Sequence, residues 1–366
     1  MINLQLFPSR QIAFYTVRLF LTRSFAVLVS LILILMTLDL LGESGKILAV
    51  PGNGDADLWR YVSLRLPVLI SRFLPFSVLL GTLIAFVGLN QHSEVVAMKS
   101  AGISAHQILA PLIIASIAIA GALFAFNEFV VVKSARVVTA WSDNEYRPIP
   151  PESGVMSNVW TLNGDDLVRA GRVAGRGSRF HADNVAIYDR SGGILQRIVT
   201  AKQAVPVAGD SWQLKDVSIY DANMNLVRRF ASMRGMEGVT AQQLTLAKVD
   251  PTELDYWTLK QRIGELEAAG RPTDEARAGL AHKISGPLST LLMPLLAAVA
   301  AFGLARSGQV LLRACVGMAL GFAYFVADNF SLAMGNVGTY PPLIAAWAPF
   351  ILFALIGETV LVRTEE

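Results

Sequence analysis

Two triplets of apolar helical spans, separated by one long polar insert, constrain this chain more than any short motif does. Crossing the hydrocarbon of a bilayer takes about 20 apolar residues in a helix. Runs of that kind occur near Ser24–Leu41, Pro67–Leu89 and Ile108–Val132, and again near Ile284–Leu304, Leu311–Ala333 and Leu343–Val362. Three is odd, so the insert lies across the membrane from both termini. The expected fold is a membrane protein of six transmembrane helices with one external domain between helices 3 and 4. Charged residues make up 16% of the chain, against about a quarter in soluble domains.

Charge is unevenly placed. Segment 134–281 holds 18 of the 31 Lys/Arg and 18 of the 28 Asp/Glu, so it is neutral and the surplus of basic residues flanks the membrane. That surplus argues against a nucleic-acid-binding face. Arg10, Arg18 and Arg23 precede span 1, Lys99 follows span 2, Arg306 and Arg313 follow span 4, and Arg363 closes span 6. The opposite loops carry Lys46, Arg60 and Arg65, then no charge in 334–341. Excess Lys/Arg marks cytoplasmic loops, so both termini are expected in the cytoplasm and the insert outside it. The region before span 1 reads as an interfacial elbow helix, not a cleaved signal, because Arg18 interrupts its apolar run. The lone Cys315, inside span 5, leaves no intrachain disulfide.

The insert reads as strands. Alternating runs recur at Val155–Leu162, Asp166–Val173, Asn184–Asp189, Leu195–Ala204, Ser211–Tyr220, Leu226–Met233 and Val239–Leu246. Turn signals separate them, among them Asn163-Gly-Asp165, Arg190-Ser-Gly-Gly193 and Ala208-Gly-Asp210. Short strands at this spacing predict an antiparallel sandwich or partly open barrel. Thr252 and Asp255 then start a short amphipathic helix to about Ala269, stopped by Gly270 and Pro272, and Thr273 starts the helix into span 4. The expected domains are 1–133, 134–272 and 273–366. Gly42-Glu-Ser-Gly through Pro51-Gly-Asn-Gly54 reads as a loop, Pro67 as a helix start and Pro75 as a kink.

Enzyme chemistry finds no constellation. Gly42-Glu-Ser-Gly-Lys46 suggests a phosphate loop, but Leu40 stands where the first glycine belongs and Ile47 replaces the magnesium-binding hydroxyl. His92, His106, His181 and His282 show no ligand spacing. No Gly-x-Ser-x-Gly elbow occurs, and Asp165–Asp166 reads as a solvated turn. No metal or cofactor is expected, and any ATP is hydrolysed by a partner.

The loop 90–104, Asn-Gln-His-Ser-Glu-Val-Val-Ala-Met-Lys-Ser-Ala-Gly-Ile-Ser, carries the strongest local signal. Read as a helix, it shows a short mixed face of Val95, Val96, Met98 and Lys99, with Glu94 at its electropositive N-terminus and Gly102 ending it. Such a helix either lies in the lipid headgroups or docks on a cytoplasmic partner, with Glu94 as polar anchor.

Ser93-Glu-Val-Val-Ala-Met-Lys-Ser-Ala-Gly-Ile-Ser104 resembles the coupling-helix signature of the LptF/LptG lipopolysaccharide export permeases. His282-Lys-Ile-Ser-Gly-Pro-Leu288 opening span 4, and the six-span layout with its insert, agree with that family. Gly321-Phe-Ala-Tyr-Phe-Val-Ala-Asp-Asn-Phe330 looks more like its LptG branch. The resemblance implies a bacterial inner-membrane permease with a periplasmic β-jellyroll-like domain. It implies a second, LptF-like permease, a cytoplasmic LptB-like ABC ATPase dimer and an LptC/LptA-like periplasmic bridge protein. Glu94, Val95, Met98 and Lys99 would then engage the ATPase. Lipopolysaccharide would enter between spans 1 and 5 of opposing subunits. The chain departs from family members that carry lysines at the outer end of span 1. Here Met36-Thr-Leu-Asp-Leu-Leu-Gly-Glu43 is acidic, with Lys46 the nearest cation. Arg65 and Arg72 are substitute contacts for lipid phosphates, with Asp328 at comparable depth. Arg72 has an alternative reading as a structural pair with Asp328 or Glu128. A membrane-anchored assembly scaffold with a β docking module is the alternative function, and it would need no coupling helix.

Overall fold

The computed structural model describes residues 9–148, 156–175, 180–207, 211–241, 244, 249–268, 270–302 and 310–363, without the side chains of 156–158, 300, 302 and 310–314. Arg306, the Arg313 side chain and the turn 208–210 lie outside that description. The chain divides into two compact units. One comprises Met1–Gly45, Asp55–Ala135 and Pro251–Glu366; the other comprises Lys46–Gly54 and Arg136–Asp250.

The first unit is helical. Its long elements are α1 (Arg10–Leu48) and α2 (Asp55–Gln91), followed by the short α3 (Glu94–Ser100). Next, α4 (Ala105–Phe126) passes through a π-helical turn (Asn127–Val131) into α5 (Val132–Asp143). After the second unit come α6 (Tyr256–Ala268), α7 (Asp274–Phe302), α8 (Val310–Asn336) and α9 (Pro342–Arg363). By length and composition, α1, α2, the continuous Ala105–Asp143 helix, α8 from Cys315 and α9 are each able to cross a membrane. The fourth expected span lies in α7, whose run from Ser285 to Phe302 carries no charged residue. It packs on α2, α4, α8 and α9.

Several boundaries differ from expectation. Gly42–Lys46 is helical, because α1 continues to Leu48. Pro67 is no helix start: α2 begins at Asp55 and runs through both Pro67 and Pro75. In a packed helix neighbouring groups satisfy the carbonyl that proline frees. Close approach is set by glycine: a Cβ on Gly81 of α2 would fall on the backbone of Ser24 in α1.

The second unit is built on one antiparallel sheet in sequential order, β1 (Met156–Asn163), β2 (Asp166–Ala174), β3 (His181–Ser191), β4 (Ile194–Val207), β5 (Ser211–Asp221) and β6 (Leu226–Gly235). The connection is a meander, simpler than the Greek keys of a jellyroll. The seventh expected strand is not formed where it is described: Ala241 and Leu244 are helical, and the rest of 239–246 is loop or undescribed.

Register shows how one sheet makes a core. Inward positions are two residues apart along most of each strand, yet three apart along one line crossing the sheet. The buried pairs are Ala170 and Val173, Ala182 and Val185, Ala201 and Ala204, and Leu214 and Val217. Asn184 and Asp216 on that line have φ of 51° and 52°, a left-handed conformation that short polar side chains tolerate. Gly171 faces Asn184 where a Cβ would sit 2.9 Å from the Asn184 Cβ. The step turns the apolar residues on both sides of the line toward one interior. Trp212, Met236, Val239 and Leu244 fill it, and the Trp212 indole N–H donates to the Val239 carbonyl at 2.6 Å.

Gly81→Ala forces α1 from α2 and is expected to cost about 1–3 kcal/mol. Gly88→Ala, with open space around its Cβ, is the control. Thermal unfolding of the two variants in detergent tests this: equal melting temperatures would remove the close-approach argument.

Candidate functional site

The 90–104 segment forms a helix between two turns. Ser93, at φ 57°, turns the chain out of α2. Gly102, at φ +81°, ends α3, with its N–H donating to the Lys99 carbonyl at 3.0 Å. Ser104 then starts α4 with a reciprocal capping box: its hydroxyl accepts from the Gln107 N–H, and Gln107 accepts from the Ser104 N–H.

The four residues expected to form the docking face part company. Val95 is 4% exposed within the helical core and Met98 packs beside it, so both hold α3 onto its own bundle. Val96 is 65% exposed and Lys99 is exposed. Outward presentation therefore falls to Glu94, Val96 and Lys99. Glu94 Oε1 accepts a hydrogen bond from the Tyr15 hydroxyl at 3.3 Å, which ties α3 to the start of α1. His106 Nε2 lies 2.9 Å from Glu358 Oε1, joining the start of α4 to the end of α9. Nothing in the local sequence marks Tyr15 or Glu358, because both contacts are tertiary.

The expected cations have different surroundings. Arg65 grips Asp39 of α1 with two hydrogen bonds, 3.0 and 3.1 Å, and the Tyr61 hydroxyl donates to the same carboxylate at 2.6 Å. A two-pronged guanidinium–carboxylate pair of this kind holds α1 to α2. Lys46 is exposed near the end of α1. Arg72 is exposed on α2 and forms neither expected pair. Glu128 is taken by Lys283 at 2.9 Å, and Asp328 faces His282 Nε2 at 3.8 Å. Asp328 therefore sits between α7 and α8, near the buried Tyr324, with 15% of its side chain accessible.

Around Glu128 four helices meet. Its Oε1 accepts from Lys283 of α7, and its Oε2 accepts the backbone N–H of Tyr256, the first residue of α6. The adjacent Asn127 accepts from the Ser71 hydroxyl of α2. Asp255, not Thr252, caps α6, its carboxylate accepting from the Thr258 N–H at 3.0 Å. The Thr258 side-chain and backbone hydrogen bonds hold the Asp255 carboxyl below its usual range, with Lys283 nearby adding to the effect.

The chain matches the family described as "Lipopolysaccharide export system permease LptF/LptG" over residues 14–363. It is 25% identical over 350 residues to a protein named "Lipopolysaccharide export system permease protein LptG" from Escherichia coli strain K12, covering 92% of each chain. A protein of the same name from Haemophilus influenzae is 25% identical over 325 residues, covering 86% of this chain and 89% of its own.

A carboxyl whose folded pKa is depressed stabilises above its unfolded pKa, and that stability is lost as pH falls through the folded value. Asp255→Ala is expected to fray α6 at neutral pH by about 1 kcal/mol. Wild type should fray only below about pH 4, whereas Asp255→Asn keeps a cap at both pH values. Amide exchange at Leu259–Ile263 reads this out, and equal protection in Asp255→Ala and wild type at neutral pH would contradict it.

Proposed function

Because the chain belongs to the LptF/LptG family of lipopolysaccharide export permeases, on the LptG branch, we propose that it is the permease subunit that passes force from a partner ATPase to lipopolysaccharide in the inner membrane. The placement of α3 is the observation that carries this reading. Val95 and Met98 anchor the helix to the bundle, while Val96 and Lys99 are exposed and Glu94 is half-buried on the side we assign to a cytoplasmic ABC ATPase dimer. Closure of that dimer on ATP would push α3, and Tyr15 and the capped start of α4 would carry the push into α1 and the bundle.

The remaining parts follow from the same arrangement. The termini and α3 face the cytoplasm, and the β unit faces the periplasm, where it hands lipopolysaccharide to a bridge protein. A second, LptF-like permease lies against α1 and α8. Their exposed apolar residues support this, among them Phe25, Leu33 and Leu38 on α1 and Phe322, Phe325 and Val326 on α8. Lipopolysaccharide, an anionic amphiphile, enters between those helices. Arg72 is the residue we assign to its phosphates, since Arg65 already holds Asp39. ATP is hydrolysed by the partner, and this chain supplies no catalytic group.

Lipopolysaccharide-stimulated ATPase activity of the complex in proteoliposomes, with and without this chain, tests the reading; activity indifferent to the chain would sink it. Glu94→Lys reverses the anchor charge and is expected to abolish copurification with the ATPase or its stimulated activity. Arg72→Ala is expected to leave assembly intact while lowering lipopolysaccharide crosslinking in the membrane cavity several-fold, on the order of 1 kcal/mol for one exposed charge contact. Unchanged crosslinking would remove Arg72 from the substrate path.

A further inference from the structure

We propose that Glu128 is a positioning residue: with Lys283 it clamps the outgoing and returning chain together, so that bundle movement reaches the β unit as one displacement. The proposal rests on the export reading above.

Chain path gives Glu128 its significance. The helical unit is interrupted twice, briefly at Lys46–Gly54 and then for the long excursion that leaves after Ala135 and returns at Pro251. Glu128 stands just before that exit, and Tyr256 just after that return. One carboxylate therefore spans the exit and the return of the long excursion, two of the four connections between the units, taking the orphan N–H at the start of α6, where a helix N-terminus favours negative charge. Lys283 fixes the same carboxylate to α7. A Cβ on Gly279 would fall on the Pro251 ring, so the returning chain lies closely along α7 as well.

Stability alone is a poor account of this arrangement. Glu128 and Lys283 are 11% and 12% exposed. Desolvating two charges to that extent is costly, and well-packed apolar residues of similar volume often hold helices at least as firmly. An apolar pair, however, could not accept the Tyr256 N–H. The π-helical turn adds a second sign. It inserts a wide turn at Asn127–Val131, where Asn127 also engages Ser71 of α2. Such turns are rare and frequently mark functional sites. Without the carboxylate, α6 would be held to the bundle through its apolar face, Leu259, Ile263 and Leu266. Packing of that kind permits sliding; the charge-assisted bonds fix register.

The test uses the assembled complex with its ATPase in nanodiscs. Spin labels at Ile114 on α4 and Lys260 on α6, both exposed, report whether the two move together. Wild type should give one narrow distance distribution, unchanged by trapped nucleotide. The apolar pair Glu128→Leu with Lys283→Met should assemble and hydrolyse ATP normally, yet broaden that distribution. In proteoliposomes carrying lipopolysaccharide, photocrosslinking of the lipid at Phe230 should fall about tenfold, a typical coupling free energy. A narrow, unchanged distribution in the variant overturns the clamp, as does a parallel fall in ATPase and crosslinking. Failure of the variant to assemble assigns the pair to folding and overturns it too. Absence of any crosslink in wild type would instead count against the export reading, and the distance measurement then decides the clamp by itself.

Discussion

Helix α7 carries the helical unit, since α2, α4, α6, α8 and α9 all pack on it. In lipid such association draws little on the hydrophobic effect, because hydrocarbon is as apolar as leucine; close packing and small residues do the work. The contacts show that economy. Leu295 sits against Gly357 of α9, Ala278 against Gly335 of α8, and the run Leu296–Ala298 is fully buried. Two buried hydroxyls of α7 are satisfied within the helix. Ser289 donates to the Gly286 carbonyl at 2.6 Å, and Thr290 donates to the Pro287 carbonyl at 2.8 Å. Each hydroxyl bonds a carbonyl one turn back in its own helix and so needs no partner from a neighbour.

The crease in the β sheet solves a different problem with similarly small means. One sheet of six strands has two faces, and a core needs something to cover one of them. Shifting the alternation by one residue along a shared line bends each strand toward the same interior. Along that line, between the buried pairs, polar partners replace the apolar ones. Asp183 faces Arg172 at 3.7 Å, Gln203 donates to Asp183, and Lys215 donates to Gln203 at 3.2 Å, a chain running across β2 to β5. Alternation in the sequence marked six strands to within a few residues of their observed ends. It could not mark the crease, because a three-residue step within one strand looks like noise until its neighbours show the same step. The expectation of a sandwich or a partly open barrel left that choice open for want of this information: the inward residues are supplied by one bent sheet.

Legibility of the candidate site divides along the same line between local and tertiary causes. The α3 helix could be read because its limits are local: Gly102 needs a positive φ, and Ser104 with Gln107 spells a capping box. Which way Val95 points could not be read, since that depends on the core built by α2, α4 and α7. Arg65 looked available because its partner Asp39 belongs to another helix. Lys283 drew no notice between His282 and Ile284, and no residue pattern announces a π-helical turn.

Charge placement then bears directly on what the helical unit can carry. Asp39, Glu128 and Asp328 lie within or beside the apolar spans, where an unmatched carboxylate is expensive. Each faces a cationic or protonatable partner: Arg65, Lys283 and His282. Arg72 differs. It is exposed on a spanning helix and makes no ion pair among the described residues. A long guanidinium side chain can reach toward the interface, but it sits one residue from Ser71, whose hydroxyl is engaged by Asn127 beside the Glu128 clamp. Asp39 and Glu128 are paired with Arg65 and Lys283, while Arg72 is left presented. On the export reading proposed above, the phosphate of an anionic amphiphile would meet attraction there. The same helix turn that would hold its phosphate is bonded, through Asn127, to the junction where the chain leaves for the β unit.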